Sequence, residues 1–188
     1  MNKADVDLIK QEISDAIPVI EARGIDTFLD FTKIFGNADL FQKIVRLIQN
    51  ELLESSDDAS NGYGCSYIIV PEARAFLLGG ALSFYLGIPL LLARKNNKAP
   101  GDIVSAEYGT EYAIGESLSM QAIDLEEKKV LFLDDVYATG GTFEACKYLV
   151  EQAGGKMSKG LVLKDAPGFT SPENITVLLD VENIIEGE

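Results

Sequence analysis

The sequence predicts an α/β fold, a central and mostly parallel sheet flanked by helices. Three observations carry that expectation. Apolar runs of buried-strand length recur at Cys65–Val70, Ile88–Ala93 and Val130–Asp135, with little of the polar alternation of a half-solvated strand. A short turn at Pro71–Arg74 and a helical pattern separate the first two runs, which makes a strand–helix–strand unit and so parallel strands with a right-handed crossover. The third run passes through small and hydroxylated residues directly into another helical pattern.

Taken in order, residues 5–17 read as a short amphipathic helix with Val6, Ile9, Ile13 and Ile17 on one face, closed by Pro18. Arg23–Thr32 reads as irregular or extended. Asp39–Leu53 reads as a second helix, with Leu40, Ile44, Leu47, Ile48 and Leu52 inward, and Ser55–Gly64 as a solvated loop. A helix over Ala75–Leu86 ends at Gly87, and another begins near Phe143, with Cys146, Leu149, Val150 and Ala153 at helical spacing and Gly154-Gly155 as its stop. Leu161–Lys164 and Thr176–Asp180 supply two further strands. Between Arg94 and Met120 the regular pattern lapses, and a long excursion inside a compact domain reads as a mobile loop.

The stretch Asp134-Asp135-Val136-Tyr137-Ala138-Thr139-Gly140-Gly141-Thr142 has the chemistry of an anion site. A strand feeding a tight loop and a helix start gathers free N–H groups, hydroxyls and the positive end of the helix dipole, while glycines admit phosphate oxygens close to the backbone. It lacks Gly-x-x-x-x-Gly-Lys-Ser/Thr and so is not an ATPase P-loop. Two acids beside a phosphate cradle suit a ligand with both phosphate and hydroxyls, such as a ribose phosphate. Ligands in parallel sheets sit at strand carboxyl ends, and Arg74, Arg94, Lys95 and Asp134–Thr142 all fall there.

Composition bounds the rest. The chain has 188 residues, 47% of them apolar, enough for one domain over residues 1–188, with 1–60 as an N-terminal helical segment within it. A formal charge of −14 argues against a nucleic-acid partner. No signal pattern or bilayer-length apolar run is seen, so no membrane partner is expected and the protein is placed in the cytoplasm. Cys65 and Cys146 are read as reduced core thiols, and the lack of histidine removes His-dependent triads and His-Glu-x-x-His metal sites.

The Asp134–Thr142 stretch resembles the signature of the type I phosphoribosyltransferases. Glu72-Ala73-Arg74-Ala75-Phe76, Arg94-Lys95…Lys98-Ala99-Pro100-Gly101 and Glu111-Tyr112 resemble segments of the adenine phosphoribosyltransferase branch. The similarity spans roughly residues 70–150, with a looser echo in Gly24-Ile25…Phe28-Leu29-Asp30. Ala75 and Ala113 stand where that family usually has glycine, and the N-terminal purine-pocket segment departs from the family pattern.

The resemblance implies a small N-terminal hood, a flexible loop, a homodimer, and magnesium-dependent transfer of phosphoribosyl from phosphoribosyl pyrophosphate to a purine base, adenine by preference. Hypoxanthine, guanine or xanthine remain alternatives, as does a non-catalytic sensor of phosphoribosyl pyrophosphate. It also implies roles. Ala138, Thr139, Gly140, Gly141 and Thr142 hold the 5′-phosphate, and Asp134 and Asp135 the ribose hydroxyls. Ala73 and Arg74 meet the pyrophosphate, and Arg94, Lys95 and Lys98 reach it or a neighbouring subunit. Glu111 beside Tyr112 is the general acid/base, with Glu107 as its rival.

Overall fold

The computed structural model describes residues 3–22, 25–56, 62–96, 98–108 and 116–180, with side chains 25–27, 108 and 116 left aside. In chain order the elements are α1 (Lys3–Asp15), β1 (Val19–Ala22), β2 (Ile25–Leu29), α2 (Thr32–Phe35), α3 (Ala38–Glu54), β3 (Tyr67–Pro71) and α4 (Ala75–Leu86). There follow β4 (Leu90–Lys95), β5 (Ile103–Tyr108), β6 (Glu116–Gln121), β7 (Lys129–Tyr137), α5 (Gly141–Gln152), β8 (Lys156–Asp165) and β9 (Ile175–Val177).

Seven strands form one sheet in the order β5-β6-β4-β3-β7-β8-β9. The pairs from β4 through β3, β7 and β8 to β9 are parallel, and β6 joins β4 and β5 antiparallel. Side-chain alternation divides the strands between two cores. Ile68, Val70, Leu131, Leu133, Leu161 and Leu163 face α1, α3 and α4, while Ile69, Val130, Phe132 and Val162 face α5. Both faces are covered, which is why these strands read as continuous apolar runs.

The helices follow from their sequences. Asn37 caps α3 by accepting from the N–H groups of Asp39 and Leu40 at 3.0 and 3.3 Å. All five residues expected to face inward from α3 are buried. α4 stops at Gly87, whose φ of 70° is left-handed and whose N–H donates to Ser83 O at 2.9 Å. Gly79 lets α4 lie against β3: a Cβ there would sit 2.5 Å from Val70 Cγ1.

Several boundaries differ from the sequence reading. α1 ends at Asp15, before the Ile17-Pro18 bond, because a residue preceding proline is driven out of the helical region. Val19–Ala22 and Ile25–Leu29 pair antiparallel as β1 and β2, and the segment read as a patternless excursion after Arg94 carries β5 and β6. β5 is the edge strand and β6 lies between it and β4, and their buried apolar positions, Ala106, Leu118 and Met120, alternate with polar residues. β8 begins five residues before the apolar run that announced it, since its first half is exposed on alternate residues.

Candidate active site

After β3 the chain moves through α4 to β4 on one side, and after β7 it moves through α5 to β8 on the other, although β3 and β7 are neighbours. Their carboxyl ends therefore part around a crevice at the point where the winding reverses, the place where such sheets bind ligands. Two loops line it, Glu72–Arg74 after β3 and Ala138–Gly140 after β7.

Asp134 and Asp135 close the buried part of β7 and are 9% and 5% exposed. Asp134 Oδ1 accepts from the Asp135 N–H at 2.8 Å. Burial, and then the neighbouring Asp135 charge, hold the Asp134 carboxyl well above the ordinary aspartate range. Asp135 faces Arg74, with Nε to Oδ2 at 2.5 Å. That ion pair covers Asp135 Oδ2, which is otherwise buried.

Arg74 is held from its far side by the N-terminal hairpin. Its Nη1 donates to Leu29 O at 3.1 Å, and its guanidinium lies 5.3 and 5.0 Å from the ring centres of Phe28 and Phe31. The hood and the loop after β3 thus meet on one cation. The sequence marks Phe28 and Leu29 only through the loose family echo and Phe31 not at all, since an aromatic in an extended segment reads as core.

The loop after β7 delivers α5 to the same crevice. Gly140 has φ 82°, and a Cβ on it would lie 2.7 Å from the Tyr137 hydroxyl. Both facts require glycine. No side chain caps α5, and the Gly141 N–H has only a long 3.5 Å contact to Thr139 Oγ1. The start of α5 is thus left open to an anion. Ala138, Gly140, Gly141 and Thr142 are half-buried, and Thr139 is exposed.

On the other flank, Arg94 and Lys95 are the last two residues of β4. Glu72 reaches them: Oε2 accepts from the Lys95 N–H at 3.0 Å and lies 3.7 Å from Arg94 Nε, which is buried without a hydrogen bond. Ser119 on β6 binds the segment beyond, donating to Arg94 O and accepting from the Ala99 N–H, both at 3.4 Å. Ala73 and Lys98 are exposed, the first on the loop after β3 and the second beyond β4. Glu107 is exposed on β5, while Glu111 and Tyr112 lie outside the described residues. The structure therefore joins Arg74 to Asp135 directly and ties Arg94 and Lys95 to Glu72, with no described contact bringing Lys98 or Glu107 to this group.

Among the described residues no cluster of three or more Cys, Asp or Glu side chains forms a metal cage. The two adjacent, nearly buried carboxylates of Asp134 and Asp135 nonetheless fit magnesium. That ion takes one or two carboxylates and keeps water and substrate oxygens for its other positions.

Comparison with known proteins places the fold in a family. The phosphoribosyl transferase domain family matches residues 32–184. An adenine phosphoribosyltransferase of Thermosipho melanesiensis is 37% identical over 178 residues, covering 94% of this chain and 93% of the relative. One from Prochlorococcus marinus is 40% identical over 151 residues, 79% of this chain and 81% of its own. Among solved structures, the Saccharomyces cerevisiae adenine phosphoribosyltransferase complexed with an imino-altritol bisphosphate and adenine superposes with a TM-score of 0.77 at 30% identity, covering 91% of this chain and 98% of that one. With a family match over residues 32–184 and similarity to these relatives over nearly the whole length, the chain belongs to the type I phosphoribosyltransferase family and within it is most like the adenine phosphoribosyltransferases.

Proposed function

We propose that this protein transfers the phosphoribosyl group of phosphoribosyl pyrophosphate to adenine, yielding AMP and pyrophosphate, a purine salvage reaction. The observation that carries the reading is the junction of Asp134–Asp135, left-handed Gly140 and the open start of α5, with Arg74 facing it across the crevice. Whole-length similarity to adenine phosphoribosyltransferases supports the choice of base.

In this reading the N–H groups and hydroxyls of Ala138–Thr142 hold the 5′-phosphate against the α5 dipole. Asp134 and Asp135 accept from the ribose hydroxyls and favour the positive charge that develops on the sugar. Arg74, beside Asp135, with Arg94, Lys95, Lys98 and the Ala73 backbone, receives the departing pyrophosphate through fixed, charge-assisted donors. Glu111, next to Tyr112, removes the proton from the purine ring as it attacks the anomeric carbon. Asp134 and Asp135 would hold magnesium beside the substrate, where the ion would supply charge neutralisation for the leaving group. Holding base and sugar in line accounts for much of the remaining acceleration.

The reading extends to residues 1–188 as one domain, since Ile13 and Ile44 of the N-terminal helices share a core with β3 and β7. It extends to a homodimer through α4. This helix carries no charged residue over its 12 positions, and Leu77, Phe84 and Tyr85 are exposed, Phe84 at 92%. It also extends to the cytoplasm, where thiols such as the unbridged Cys65 and Cys146 stay reduced.

The test is to incubate purified protein with labelled phosphoribosyl pyrophosphate, magnesium and each purine base in turn. AMP from adenine is the expected product, and Glu111→Gln is expected to lower kcat by about 100-fold. Product from another base alone would overturn the choice of adenine. Tight binding of phosphoribosyl pyrophosphate without turnover would replace an enzyme with a sensor.

A further inference from the structure

β3 and β4 are parallel, with Ile68 opposite Leu90 and Pro71 opposite Ala93. In that register every second residue of β3 donates to the carbonyl before its partner and accepts from the N–H after it. Ile68 N–H follows the rule, donating to Pro89 O at 3.0 Å, and Glu72 N–H follows it too, donating to Ala93 O at 2.8 Å. The next rung would run from the Lys95 N–H to the backbone carbonyl of Glu72. It runs instead to the Glu72 side chain, Oε2, at 3.0 Å.

We infer that Glu72 is a positioning residue for pyrophosphate: its carboxylate replaces a strand carbonyl, releasing the backbone of residues 72–74 toward the crevice while keeping the end of β4 in register. The inference rests on the proposed phosphoribosyl transfer and assigns Glu72 no contact with substrate. The same oxygen lies 3.7 Å from Arg94 Nε. One carboxylate therefore sets where the loop carrying Arg74 leaves the sheet and where the strand carrying Arg94 and Lys95 stops. Cations from two strands are fixed relative to each other before the ligand arrives, which is the arrangement that strengthens leaving-group stabilisation.

The experiment compares wild type, Glu72→Ala and Glu72→Gln in steady-state AMP formation, in pyrophosphate binding by calorimetry, and in Tm. Gln keeps an acceptor for the Lys95 N–H, whereas Ala removes it and leaves that donor without its partner. Glu72→Ala is expected to raise KM for phosphoribosyl pyrophosphate and Kd for pyrophosphate by about tenfold, the equivalent of one lost buried hydrogen bond. The KM for adenine should be unchanged, and Glu72→Gln should return to within about threefold of wild type, since its amide oxygen restores that bond. Glu72→Asp keeps the charge but shortens the reach, and substitutes for Glu72→Ala should that variant fail to fold. An unchanged KM in Glu72→Ala, a parallel rise for both substrates, or Glu72→Gln no better than Glu72→Ala would each overturn the inference. Failure of the wild type to form any nucleotide would instead sink the proposed transfer, and the inference with it.

Discussion

Burial and the adjacent Asp135 raise the Asp134 carboxyl well above its ordinary range, so the folded chain holds a proton that the unfolded chain releases near pH 4. Stability from this group is therefore full below the unfolded value and is lost as pH rises through the folded one. Asp134→Asn keeps an acceptor for the Asp135 N–H and removes the penalty. Its Tm is expected to exceed that of wild type at neutral pH by about 2–4 °C per kcal/mol recovered, with the difference closing toward pH 4 and transferase activity lost. Tm measured across pH for both proteins checks this, and a difference that widened on acidification would refute it. Gly140 carries a second residue-scale prediction. Gly140→Ala must hold alanine at φ 82° and place its methyl against the Tyr137 hydroxyl. The backbone part alone costs about 1–2 kcal/mol. Adding Tyr137→Leu removes the clash and leaves the backbone cost, so thermal melts of the double variant should recover only part of the loss.

Helix α4 is apolar on every side, and its two faces make separate demands. Inward, Gly79 fits under Val70 and Leu90, so Gly79→Ala forces β3 or α4 to shift and should cost about 1–3 kcal/mol in denaturant unfolding. Outward, Phe84 is nearly bare, and Phe84→Asp is expected to turn a dimer into a monomer by light scattering at unchanged far-UV circular dichroism. A protein that is already monomeric before the substitution would remove α4 as the dimer contact. The hairpin β5–β6 shows the opposite economy of signal. Its pairing is backbone hydrogen bonding at a sheet edge, where side-chain pattern is weakly constrained.

At the scale of the molecule, a chain of formal charge −14 must bind a strongly anionic substrate. In the proposed reading the crevice meets that demand locally, with Arg74 after β3 and Arg94 and Lys95 at the end of β4. Phosphoribosyl pyrophosphate with magnesium, at about 100 times its Kd, should stabilise the fold by about 2.7 kcal/mol by mass action. That corresponds to a rise in Tm of about 5–11 °C. A chelator is expected to remove most of the rise, and an equal shift with and without magnesium would rule out a role for the ion in binding.

The sequence by itself determined the class of fold and marked the stretch on which the proposed site is built. Residues buried on both sheet faces must be apolar, so Ile68–Val70 and Val130–Leu133 declared their strands. A phosphate and ribose site draws on acids, hydroxyls and glycines in contiguous order, so Asp134–Thr142 stood out as the candidate. The α3 stripe was legible for the same reason, because helical period and burial coincide within one segment. Only the tertiary structure decided what depends on residues far apart in the chain. Phe28, Leu29 and Phe31 hold Arg74 from the N-terminal hairpin, and Glu72 completes a rung with Lys95, 23 residues on. An aromatic or a glutamate carries no local mark of such a partner. Its role is set by the sheet register and crossover geometry that bring it there, and those belong to the folded chain as a whole.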